Sequence, residues 1–67
     1  MANDCVVNGY STYSDSTTVR TDQKNTDVKI KELGGDKRTW SGKTDEDGKI
    51  VISTTSAPQG GLECECT

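Results

Sequence analysis

Three cysteines set the terms for this chain. Cys5 stands near its start, and Cys64 and Cys66 stand in the run Glu63-Cys64-Glu65-Cys66 at its far end. The chain has 67 residues, of which 28% are hydrophobic, with no Phe, one Trp and two Tyr. A domain this small buries only about 60% of the surface of its unfolded chain. Apolar burial set against about 1.5 kcal/mol of ordering entropy per residue comes out near zero. A further staple is needed, and cysteine can supply it. On a strand, Cys64 and Cys66 point to the same face. Neighbours at i and i+2 do not readily bond to each other, so one of them is expected to meet Cys5 on an adjacent strand. A Cys5–Cys64 or Cys5–Cys66 bridge closes a loop of about 60 residues and contributes about 4 kcal/mol. Such a bridge implies an oxidising, extracytoplasmic compartment and leaves one thiol over. The alternatives are three free thiols acting as small apolar residues, or a metal site. Three thiolates with no His lack a fourth zinc ligand, so no metal and no cofactor are expected.

The rest of the sequence favours strands. Thr, Ser, Gly, Asp and Asn dominate, and these suit strands, turns and caps better than helix interiors. Cys5-Val6-Val7 reads as a short strand, and Thr17-Thr18-Val19-Arg20-Thr21 as a β-branched one. Val28-Lys29-Ile30-Lys31 alternates as a half-buried strand should and runs into the turn Gly34-Gly35-Asp36. A run carrying Trp40 follows, then the turn Thr44-Asp45-Glu46-Asp47-Gly48, where Gly48 suits a type I turn with a G1 bulge. Lys49-Ile50-Val51-Ile52-Ser53-Thr54-Thr55 is the most apolar strand, so residues 27–55 read as a three-stranded meander. Leu62-Glu63-Cys64-Glu65-Cys66 alternates throughout. The expected core is Cys5, Val7, Val19, Val28, Ile30, Trp40, Ile50, Ile52, Leu62 and Cys64. The expected fold is all-β: a small antiparallel sheet of four to five strands, as a partly open barrel or sandwich, with a disulfide linking the termini. Residues 1–4 are expected to form a flexible N-terminal tether to a single domain over residues 5–67.

Several function classes are disfavoured. The net charge is −3 with acids and bases interspersed, so no basic stripe offers itself to nucleic acid. No apolar run nears the roughly 18 residues of a membrane span, and Met1-Ala2-Asn3-Asp4-Cys5-Val6-Val7 lacks the basic and apolar regions of a signal peptide. The absence of His removes the usual general base and the Ser/His and Cys/His pairs. Asp45-Glu46-Asp47-Gly48 departs from a calcium loop, since Lys43 stands where the first acidic ligand is required. Neither Gly34-Gly35 nor Gly60-Gly61 leads into a phosphate-binding helix. Nothing basic flanks Cys64 or Cys66 to activate a thiolate. A non-enzymatic binding protein is the expectation, monomeric, with residues 8–26 as its contact surface. Tyr10, Tyr13 and Arg20 are its candidate partner-binding residues, because aromatic residues and Arg dominate binding hot spots.

Two resemblances add to this. Lys43 to Thr54, "KTDEDGKIVIST", resembles a hairpin of carboxypeptidase-regulatory-like and related immunoglobulin-like modules, in which a Thr-Asp-x-x-Gly turn precedes an apolar strand. That resemblance implies a structural or accessory module of a larger surface or virion protein. The start "MAND" resembles a mature lipoprotein whose acylated cysteine has been replaced by Met, with Ala2 next to the lipidation site. With its size, acidity and disulfide, the chain resembles the small lytic-conversion, or superinfection-exclusion, lipoproteins of tailed phages. This implies a location on the periplasmic face of the outer membrane, contact with membrane only through an N-terminal lipid, and an outer-membrane barrel receptor as partner. No functional residue carries over from that family.

Overall fold

The computed structural model describes residues 4–66, and they form two antiparallel sheets. The strands are β1 (Asp4–Cys5), β2 (Val7–Thr12), β3 (Ser16–Thr21), β4 (Asp27–Glu32), β5 (Thr39–Lys43), β6 (Lys49–Ser53) and β7 (Leu62–Cys66). One sheet has the order β1-β7-β4-β5 and the other β2-β3-β6. The expectation of four to five strands is corrected: six strands of five or six residues are joined by a two-residue β1. The additional strand is β2, in a stretch with too few apolar residues to announce itself. Residues 1–3 of the expected tether lie outside the described residues, and Asp4 pairs with Glu65 in β1.

The core follows strand alternation. Val19 of β3, Val28 and Ile30 of β4, Ile50 and Ile52 of β6 and Cys64 of β7 are buried between the sheets. Cys5, Val7, Tyr10, Trp40, Leu62 and Cys66 pack around them, partly buried. Thr17, Thr21 and Thr54 also point inward, and the hydroxyls of Thr17 and Thr54 bond at 2.9 Å. A sandwich this thin thus fills inward positions with threonine methyls and satisfies their hydroxyls by pairing or on backbone carbonyls, as Thr21 does on Gly48.

The expected meander over residues 27–55 is also corrected. β5 pairs with β4, but β6 pairs with β3 in the opposite sheet. The turn between them has the local geometry the sequence implies: Asp45 N–H donates to the Lys49 carbonyl at 2.9 Å, and Gly48 has φ +82°. Thr44, buried, exchanges backbone and side-chain hydrogen bonds with Thr26 and anchors the turn to the β3–β4 loop. The chain therefore turns a corner between sheets. Trp40 closes that flank, its indole N–H donating to the Ser53 carbonyl on β6 at 2.8 Å. A Cβ on Gly48 would come within 2.5 Å of the Thr21 carbonyl oxygen. Gly48→Ala is accordingly expected to cost about 2–3 kcal/mol in urea denaturation, and an unchanged midpoint would show the corner to be dispensable.

The opposite flank is closed covalently. Cys5 on β1 and Cys64 on β7 are register partners with Cα atoms 5.1 Å apart, and they form the disulfide. Cys66 stays free and partly buried, opposite Val28. The structure thereby selects one of the two pairings left open by the sequence.

Candidate functional site

The strand directions sort the loops into two groups. The β2–β3 turn (residues 13–15), the β4–β5 turn (33–38) and the β6–β7 loop (54–61) meet at one end of the sandwich. Asp4, Cys66, the β3–β4 loop and the β5–β6 corner occupy the other. The molecule measures 28 × 24 × 17 Å.

The three loops at the far end hold one another. Thr54 N–H donates to the Asp15 carbonyl at 3.2 Å, joining the first loop to the third. Gly34 N–H donates to the Gln59 carbonyl at 2.8 Å and Leu33 N–H to the Gly61 carbonyl at 3.0 Å, joining the second to the third. The backbones cross so closely that a Cβ on Gly60, at φ +74°, would lie 2.8 Å from the Gly34 nitrogen. Beneath the crossing sits Glu32, the last residue of β4, only 1% exposed. One of its oxygens accepts from the Arg38 backbone N–H and from Nε, both at 3.0 Å. The other accepts from Arg38 Nη2 at 3.1 Å and from Gln59 N–H at 2.8 Å. Arg38 also donates to the Ser56 carbonyl and lies 5.2 Å from the centroid of the Trp40 ring. A single carboxylate thus ties Arg38 at the end of one turn to Gln59 in the adjoining loop, with four donors on its two oxygens.

The charge-assisted bonds from the Arg38 side chain, with those from the Arg38 and Gln59 amides, hold Glu32 down at about 2. The same pairing raises Arg38. Away from this cluster, Asp22 is lowered by the Val6 amide and Asp45 by the Lys49 amide. An unfolded glutamate titrates at about 4.3, so folded protein binds fewer protons there than unfolded protein does. The stability Glu32 contributes is then complete above about pH 5 and is lost as pH falls through about 2. Melts between these values are expected to fall steeply, and Glu32→Gln is expected to remove most of the slope. An equal slope in that variant would assign acid lability to Asp22 and Asp45 instead.

The residues singled out from sequence do not converge within one copy. Tyr13 sits in the β2–β3 turn, 60% exposed at the loop end. Tyr10 points inward from β2 opposite Val19, partly buried against the core. Arg20 is on the outer face of β3 near the opposite end, its guanidinium donating to Ser11 Oγ at 3.2 Å. What sequence reasoning missed is Glu32 with Arg38. Their signal was a charge continuing the inward phase of Val28 and Ile30, with a cation six residues on across a Gly-Gly turn.

The outer face of the larger sheet competes as a site. A shallow depression of about 240 Å³ there is lined by Lys29, Lys31, Thr39, Glu63 and Glu65. Lys29 faces Glu65 and Lys31 faces Glu63 across the β4–β7 pairing. Alternating opposite charges on an open strand face support the sheet and stay hydrated, so the loop end is the stronger candidate. Among the described residues no group of three or more His, Cys, Asp or Glu gathers as a metal site, and no helix is long and apolar enough to cross a membrane. Comparison of the chain with protein-family models, curated proteins and solved structures finds no match.

Proposed function

We propose that the chain is a non-enzymatic, extracytoplasmic binding module that offers its clamped loop end to a protein partner. The partner in this proposal is an outer-membrane barrel receptor, engaged from the periplasmic side by a module tethered at its N-terminal side, as in the superinfection-exclusion lipoproteins that the sequence resembles. The observation that carries the proposal is the Glu32 clamp. Three loops bound to one another at the end away from Asp4 form a rigid surface with Tyr13 exposed at its edge, and loops held rigid before contact lose less entropy on binding. The Cys5–Cys64 disulfide favours an oxidising compartment.

The test is retention from a detergent extract of Gram-negative outer membranes on domain immobilised through its N-terminus. The expected result is one barrel protein, released by excess free domain and retained at least about tenfold less by Tyr13→Ala. Absence of specific retention by folded, oxidised domain would remove the receptor-blocking function. It would favour a structural module of a larger surface protein, for which the strand order speaks. With β2, β3 and β6 facing β5, β4 and β7, the two sheets follow the A-B-E and C′-C-F arrangement of immunoglobulin-like sandwiches. β1 stands where their last strand would be.

A further inference from the structure

We infer that β2 is a pairing edge for a second copy of this chain. Of the strand edges among the described residues, β6 has its Ser53 carbonyl taken by the Trp40 indole of β5, and β1 is two residues long. β2, with six residues, is the longest edge. It is also the one described strand without an Asp, Glu, Lys or Arg. Edge strands are ordinarily blunted by charge, proline or a bulge. β2 has only a bulge, at Asn8 near its start, which leaves Gly9 to Thr12 in regular register with β3.

The phase of the ladder tells which groups are on offer. Tyr13 N–H donates to the Ser16 carbonyl at 2.7 Å, so Tyr13, Ser11 and Gly9 direct their backbone groups toward β3. Tyr10 and Thr12 direct theirs outward. The far side of β3 keeps the same phase, with Thr21 N–H bonded to the Gly48 carbonyl and Thr54 N–H to that of Asp15. Two copies related by a two-fold axis at Ser11 would pair Tyr10 of each with Thr12 of the other, making four backbone hydrogen bonds and one continuous six-stranded sheet. A second copy is the occupant because this strand opposes itself without placing like charges together. β7, by contrast, laid antiparallel against itself about Cys64, would set Glu63 of each copy against Glu65 of the other. The same axis sets Gly9 opposite Tyr13 of the second copy. The Arg20 guanidinium already lies over Gly9, where a Cβ would be 2.8 Å from Nη2. Tyr13 thus arrives beside the flat Arg20 cation, a cation–π arrangement. Tyr10, Tyr13 and Arg20, scattered within one copy, converge across two.

An edge of four residues covers far less than the ~800 Å² per partner of a standard interface, so dissociation is expected at roughly 0.1–1 mM. This inference is independent of the receptor reading. Sedimentation equilibrium from about 20 μM to about 2 mM tests it, with Cys66→Ser throughout to exclude intermolecular disulfides. The mean mass is expected to climb from 7.2 kDa toward twice that value. Thr12→Pro removes an outward N–H without breaking the β2–β3 ladder and is expected to stay monomeric with an unchanged circular dichroism spectrum. Tyr13→Ala and Arg20→Ala are each expected to weaken association about threefold. Should Thr12→Pro lose its strand signal, Ser11→Lys serves in its place, facing two lysines across the axis. A wild-type mass fixed at the monomer value to about 2 mM, or association undiminished in the folded edge variant, overturns the inference.

Discussion

Glu32→Ala is expected to lower the melting temperature by at least about 10 °C. The alanine leaves Arg38 Nε, the Arg38 backbone N–H and the Gln59 N–H without their acceptor, and leaves Nη2 only the Ser56 carbonyl. Removing the buried member of a pair costs more than the pair itself contributes, because the surviving donors, with Arg38 only 26% exposed, regain little hydration. The loss is also expected to be local in character. Amide exchange over residues 33–38 and 56–61 should accelerate before that of Val19 or Ile30. The double variant Glu32→Leu, Arg38→Met is expected to recover part of the loss, since an apolar pair leaves no stranded charge. A melting temperature within about 3 °C of the parent for Glu32→Ala would mean that the loop end is held by its backbone bonds alone.

Loss of the disulfide is expected to be at least as severe. The bridge spans 59 residues, and the chain-entropy model assigns such a loop about 4 kcal/mol. Small domains hold only about 5–15 kcal/mol in total. Cys5→Ser and Cys64→Ser are therefore each expected to leave a substantial unfolded fraction at 37 °C. Cys66→Ser should shift urea denaturation by less than about 1 kcal/mol. If Cys66→Ser instead reproduced the loss, the pairing in solution would be Cys5–Cys66.

The strands that sequence made visible are those with strict period two. Val28 and Ile30, Ile50 and Ile52, and Leu62, Cys64 and Cys66 each alternate with charged or exposed residues, so faces and core positions followed. β2 stayed hidden for a physical reason. The bulge between Val7 and Gly9 places Val7 and Tyr10, three residues apart, on the same inward side, and a pattern search at period two passes over it. The sheet assignment of β6 was illegible for another reason. The same five-residue turn closes a hairpin or rounds a corner, depending on whether Thr44 and Trp40 find partners elsewhere. The loop-end clamp was harder still, since a buried Glu in sequence looks like the solvated end of a strand. Its role depends on Arg38 and Gln59, which only the fold brings to it.

The Cys5–Cys64 bond has a mechanical meaning as well. A load applied between Asp4 and Cys66 passes from one terminal strand to the other through a single covalent link. The segment between the two cysteines never enters the load path, and roughly 200 Å of extensible chain is withheld for as long as the bond is intact. Under tension the domain should behave as a short inextensible shackle, and after reduction as a slack tether.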